Sequence, residues 1–317
     1  HAGAGELHLR PILNLKKSED VVLFRKITHQ TAQLVKKYGG SFSGEHGDGI
    51  VRAEFIPLMI GTQNYELLKR IKQVFDPHNV FNKGKIIDAY AMDESLRYEV
   101  DRSEPNIETI QDFSADQGIL RLAEKCNGSG DCRKLPNAGG TMCPSYRATR
   151  NEKDTTRARA NALREFLTNT SGPNKFNHQA LYDVFDLCLS CKACASECPS
   201  NVDVAALKAE FTYWYHKKNG VPFRTRMIGN NAKWNKIGSL APLSTNAILN
   251  TNIVKKILGF AKQRSLPKLA KTTVFKWYKK NKKRLLDKNN TQGAIYLFID
   301  EFTNYYDVNI GIDAIEL

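Results

Sequence analysis

A chain of 317 residues is long enough for two or three domains with cores of their own. Hydrophobic residues make up 41% of it and mean hydropathy is -0.45; neither a run of about 18 apolar residues nor a signal peptide is present, so soluble globular material is expected. The net charge of +14 is concentrated, because thirteen Lys/Arg and one Asp fall between Thr251 and Asn290. That confines any attraction to polyanions to one segment and leaves the rest close to neutral.

In chain order, ELHLRPILNL sets Leu7 and Leu9 on one face and His8 and Arg10 on the other, the period of a half-buried strand. Ser18 is the expected cap of a helix over 19–38 with Phe24, Ile27, Thr31 and Leu34 as its inner stripe, ended by Gly39-Gly40. A second helix is expected near 64–75, carrying Leu67, Leu68 and Ile71 and stopping before Asp76-Pro77. Acidic, weakly periodic residues then read as a linker, and the segments that follow read as helices. Asp203 is the N-cap expected for VAALKAEFTYWYHKKN, which Gly220 closes. A basic connector leads to a new strand, AIYLFID, from Ala294. The fold class expected is α+β in several domains: 1–90 α+β, 91–114 linker, 115–222 all-α, 223–292 basic connector, and 293–317 the start of a truncated α/β domain. The chain opens inside a motif and stops just after a new element begins, so it is read as a piece of a longer polypeptide.

All seven cysteines lie between Cys126 and Cys198, a clustering that points to metal in a reducing compartment rather than to a disulfide scaffold. CLSCKACASECP is C-x2-C-x2-C-x3-C-P, the ligand run of bacterial ferredoxins. In two-cluster ferredoxins the last cysteine, before proline, ligates the other cluster, so Cys198 is expected to leave Cys188, Cys191 and Cys194. Cys143, also followed by proline, is their expected fourth partner, completing a [4Fe-4S] cluster. Cys126, Cys132 and Cys198 remain. Ser129 stands where a central cysteine of the upstream run would be, so this corner holds a [3Fe-4S] cluster, a second [4Fe-4S] cluster with serine or water at one iron, or none. Four-cysteine zinc is the competing reading, but tetrahedral zinc wants a long loop between two C-x2-C pairs.

HAGAGELHL lets His1 and His8 converge across a glycine turn, and GGSFSGEHGDG presents Glu45 and His46 in a loop where glycines, Gly47 and Gly49 among them, admit close approach of a flat ligand. Two histidines and a carboxylate form a usual catalytic zinc set, with the neighbouring histidine able to act as a base.

HAGAGELHL, GEHGDG and DPHNVFNKGKI, followed by CNGSGDC…GTMCPSYRATRNEKDTTRARA…CLSCKACASECP, resemble the C-terminal half of the FAD-linked 2-hydroxyacid dehydrogenases with a fused iron-sulfur ferredoxin module. The resemblance implies that His1, His8 and Glu45 hold Zn2+ or a similar divalent metal, that His46 is the base, and that Asn82, with Gly47 and Gly49, lies by the FAD. Ala4 and Glu6 depart from the family's common Asp and Asn. The implied activity is oxidation of a D-2-hydroxy acid to the 2-oxo acid, hydride passing to FAD and electrons leaving through the clusters to a quinone or an electron-transfer protein. With the main FAD-binding domain absent from this chain, the piece alone is expected to show no turnover. A cytoplasmic homo-oligomer is expected, with peripheral contact at the inner membrane face one reading of the basic segment. Docking of an acidic partner is another, and a solvated connector packed on its neighbours is the plainest. An electron-relaying subunit without catalysis is the alternative function. A nucleic-acid-binding iron-sulfur protein is disfavoured, since no nucleic-acid motif occurs and the basic residues lie away from the cysteines.

Overall fold

Helices and short 3-10 turns are all the regular secondary structure in the computed structural model, which describes every residue except His1, Ala2, Ala4, Glu45 and 288–294. The chain divides into two units, His1–Pro105 and Asn106–Leu317.

The first unit contains α1 (Ser18–Lys37), α2 (Ile56–Ile60) and α3 (Thr62–Phe75). Helix α1 stops where glycine permits it: Gly39 takes a φ of 68°, and the Gly39 and Gly40 N–H groups donate to the Lys36 and Val35 carbonyls. Its start differs from expectation. Lys17 is the N-cap with no side-chain cap bond, and the Ser18 N–H donates to the Asp101 carboxylate at 3.0 Å. The inner face is also rotated: Phe24 and Ala32 pack with Phe55 and Met92, while Leu34 is exposed. Leu67 and Ile71 on α3 are exposed as well.

The strand expected over ELHLRPILNL does not form among the described residues. A strand needs a neighbour to receive its backbone groups, and none is described beside it; Leu7 and Ile12 are 91% and 100% exposed. The α+β expectation for this unit is therefore not met here, and the unit is helical. The strand expected from Ala294 meets the same outcome. Residues 288–294 lie outside the described residues, and 295–300 run without a ladder into a helix.

The second unit opens on α4 (Ile119–Glu124), α5 (Pro144–Thr149), α6 (Thr156–Asn169), α7 (Gln179–Phe185), α8 (Ala193–Glu197) and α9 (Val204–Asn219). Leu163 and Leu167 of α6, Leu181 and Phe185 of α7, and Leu207 and Phe211 of α9 are fully buried in one cluster, each worth about 1.5–3 kcal/mol. The cap at Asp203 forms as the sequence predicts, its carboxylate accepting from Ala206 N at 3.0 Å. The unit boundary falls inside the expected linker, whose two ends are both tied down. Met92 and Asp93 hold to Glu54 and Arg25 in the first unit. The Ile110 and Gln111 N–H groups donate to the fully buried Glu210 carboxylate at 2.8 and 3.0 Å in the second.

The basic segment folds as α10 (Phe223–Gly229), α11 (Asn231–Gly238), α12 (Pro242–Leu249), α13 (Asn252–Ile257) and α14 (Val274–Asp287), followed by α15 (Glu301–Tyr305) and α16 (Val308–Glu316). Val274 of α14 is buried, and its methyls lie where a Cβ on Gly311 of α16 would project. The two helices thus approach closely and leave the Lys/Arg side of α14 outward.

Candidate iron-sulfur and flavin-side sites

None of the seven cysteines is in a disulfide, and the fold sorts them around two cavities. One, with about 330 Å³ of open space, is lined by Cys143, Cys188, Cys191 and Cys194. The other, about 270 Å³, is lined by Cys126, Cys132 and Cys198, with Ser129 beside them. Cys143 and Cys198 thus each stand with thiols from the opposite segment.

The first residues of α6 run between the cavities. Thr156 lines both, Arg157 lines only the three-cysteine cavity, and Arg159 only the four-cysteine one. Backbone N–H groups at helix N-termini favour thiolates in both sets: Val204 and Ala205, opening α9, act on Cys194, and Arg157 acts on Cys132. Burial still dominates, pushing the Cys194 thiol up to about 11 and raising that of Cys132. A buried thiol with backbone N–H groups beside it suits a thiolate held by a cation.

Several residues that the motifs did not flag build these sites. Arg159 is fully buried; its Nε donates to the Val184 carbonyl at 3.0 Å, and its Nη1 reaches Ser145 Oγ at 2.9 Å and Cys143 Sγ at 3.5 Å. Nη2 is buried without a hydrogen bond, 3.7 Å from the Asp154 carboxylate. Lys208 Nζ donates to the Cys188 carbonyl at 2.6 Å. Glu197, between Cys194 and Cys198, accepts from Thr141 N and Met142 N, just before Cys143. In sequence these look like ordinary surface charges on helices, and only the chain's packing turns them inward.

Among the described residues no three His, Cys, Asp or Glu side chains gather as a single metal ion would need. The thiols ring open space instead. Four thiols outside any disulfide, backbone N–H groups beside them and a buried guanidinium with Nη2 unbonded fit an anionic, thiolate-bound group such as an iron-sulfur cluster.

In the first unit, His8 and His46, 38 residues apart, come together with Nε2 atoms 3.4 Å apart and rings edge-on. Arg10 Nε donates to His8 Nδ1 at 3.2 Å. His1 and Glu45 lie outside the described residues. Gly47 and Gly49 have φ of 73° and 59° and no atom within 4 Å of a projected Cβ. Their loop presents open backbone, which suits approach by a flat ring. Asn82 follows a turn held by Asp76, whose carboxylate accepts from Val80 N and Phe81 N at 2.8 and 2.9 Å. Lys72 and these N–H groups hold Asp76 down at about 2.

Residues 1–86 match the family of FAD linked oxidases, C-terminal domain, and residues 125–203 match the 4Fe-4S dicluster domain. D-2-hydroxyglutarate dehydrogenase of Escherichia coli is 28% identical over all of this chain and 35% of its own length. The chain thus joins the C-terminal domain of FAD linked oxidases to a 4Fe-4S dicluster domain. The family resemblance read from the motifs is thus borne out over both segments. A D-2-hydroxyglutarate dehydrogenase of Pseudomonas putida is 32% identical over 82% of this chain and 28% of its own. D-lactate dehydrogenase of Archaeoglobus fulgidus matches 27% of this chain at 36% identity. The chain spans about a third of the length of the first two relatives. No solved structure matches. Among the described residues, no helix is long and apolar enough to cross a membrane.

Proposed function

We propose that this chain is the part of a dehydrogenase that takes a D-2-hydroxy acid, of the 2-hydroxyglutarate or lactate type, to its 2-oxo acid. The observation that carries this reading is the joining of two matched segments in one chain: a flavin-oxidase segment with paired histidines and a dicluster segment with two cysteine-lined cavities. His46 accepts the proton of the substrate hydroxyl, as its exposed position in an open glycine loop allows. His8, at 3.4 Å, holds its ring in place. Gly47, Gly49 and Asn82 bound the flavin side. When bound, FAD takes the hydride, and iron-sulfur clusters take electrons one at a time. Cys143, Cys188, Cys191 and Cys194 would hold a [4Fe-4S] cluster. Cys126, Cys132 and Cys198 would hold a second one, three-iron where Ser129 leaves a corner open. His1, His8 and Glu45 remain the proposed holders of a divalent ion. The flavin-side unit is α+β once a neighbouring strand receives residues 6–15.

The acceptor is proposed to be a quinone or an electron-transfer protein, and the enzyme a cytoplasmic homo-oligomer. Val274 turned into its own unit favours the plain connector reading of the basic segment over a membrane contact; sedimentation with anionic vesicles at low salt separates the two. The functional reading is tested on the full-length protein, purified without oxygen. Iron and acid-labile sulfide should be present, and D-2-hydroxyglutarate or D-lactate should bleach flavin and cluster absorbance together. Iron-free protein, or bleaching by neither acid, refutes it.

A further inference from the structure

We infer that Arg159, with Lys208 against the backbone of Cys188, raises the reduction potential of the cluster held by Cys143, Cys188, Cys191 and Cys194. This rests on the cluster reading above and goes beyond it to what tunes that cluster. The two cavities differ in the charge that lines them. Arg159 and Lys192 line the four-cysteine cavity, and no Asp or Glu does. In the other, Arg157 is faced by Asp131. Arg157 is also paired outside the cavity with Glu152 at 2.8 Å.

The placement of Asp154 decides the sign. It stands 3.7 Å from Arg159 Nη2 but does not line the cavity, so the buried pair is a dipole with its positive end toward Cys143. Arg159 Nη1 reaches Cys143 Sγ at 3.5 Å while sharing its hydrogens with Ser145 Oγ and the Asp154 carbonyl. At zero exposure the guanidinium is not screened by water. Lys208 adds a second, half-buried cation against the backbone of Cys188. Reduction adds one negative charge to a thiolate-bound cluster, so both cations favour the reduced form and raise the potential, as do hydrogen bonds to its sulfurs. Lys192, exposed on the rim, is screened and contributes less. Arg159 acts through Cys143 and is thus a positioning and tuning residue.

Anaerobic redox titration followed by EPR tests this on the full-length protein carrying Arg159→Gln, Arg159→Lys, Lys208→Met or Arg157→Gln. Arg159→Gln should lower the midpoint of the four-cysteine cluster by at least a tenfold change in the reduction equilibrium, about 59 mV for one electron. Arg159→Lys should lower it by less than half as much, Lys208→Met should shift it the same way, and Arg157→Gln should leave it in place. An unchanged midpoint in Arg159→Gln with full iron content overturns the inference. Should that variant not fold, unchanged midpoints in both Arg159→Lys and Lys208→Met overturn it. Folded Arg159 variants that all lack the cluster would give the residue an assembly role instead and equally overturn tuning. Wild-type protein without any cluster signal would sink the underlying functional reading, a distinguishable failure.

Discussion

Glu197 and Met142 are joined across 55 residues, the Met142 N–H donating to the Glu197 carboxylate at 3.2 Å. Thr141 adds its N–H and its hydroxyl, each at 2.7 Å, and Lys134 completes the set at 3.3 Å. One carboxylate between Cys194 and Cys198 therefore fixes the loop that presents Cys143. Gly140 permits the approach, since at φ 75° a Cβ there would sit 2.3 Å from Glu197 Oε2.

Glu197→Ala frees that loop and should weaken iron retention. Residues that orient metal ligands typically cost 10–100-fold in affinity when removed, so about a tenfold faster loss of iron to a chelator is expected. Equal chelation rates in variant and wild type would show that the clamp does not matter to the site.

The crossed sorting of thiols gives paired expectations. Cys143→Ser should remove the signal of the four-cysteine cluster and spare the other, while Cys198→Ala should do the reverse. EPR of the two variants, read against iron per chain, checks this. If Cys143→Ser instead abolished the signal associated with Cys126 and Cys132, the sorting would be wrong.

His46→Asn should lower turnover of the 2-hydroxy acid by about 100-fold or more, the usual worth of a positioned base. Iron content should not change, because His46 lines neither cysteine cavity. Stopped-flow reduction of the flavin in the full-length protein measures the step directly, and undiminished reduction would remove His46 from the chemistry.

Glu210→Ala leaves Ile110 N, Gln111 N and the Trp214 indole N–H, now paired at 2.8, 3.0 and 2.7 Å, without their acceptor. Unmade bonds of buried donors should cost about 3 kcal/mol together. Chemical denaturation of the second unit's helices would register it as a lower midpoint with an unchanged slope.

Asp76 makes the first unit acid-sensitive. Its folded-state value of about 2 lies below the ordinary 3.8, chiefly through Lys72 and then through Val80 N and Phe81 N. A depressed carboxylate gives its full stabilisation above the unfolded value, near pH 4, and loses it as pH falls toward 2. Asp76→Asn should thus be less stable than wild type at pH 7, with the gap closing between pH 4 and 2. Parallel urea titrations across that window check the sign; a constant gap would contradict it.

Much of the helical frame was legible in the residues. Asp203 caps α9, Gly39 ends α1, and α3 stops at Asp76, because caps and stops are local chemistry within one turn of chain. Burial along the first unit's helices was not legible, and Leu34, Leu67 and Ile71 lie exposed where an inner stripe was expected. Periodicity names an apolar face but not what covers it. The strands at 6–15 and from Ala294 failed for a related reason, since ladder partners are supplied from elsewhere in space.

By itself the sequence determined the chemistry available: thiols at ferredoxin spacing, proline after Cys143 and Cys198, and histidines among glycines. Those signals are short-range and survive in one dimension. Tertiary structure alone decided what surrounds them. In TTRARANA, nothing marks Arg159 apart from Arg157; the packing of α6 between two cavities buries one guanidinium against Cys143 and leaves the other with Glu152. Charge in a low-dielectric interior acts through distance and burial, and those exist only once distant segments have packed.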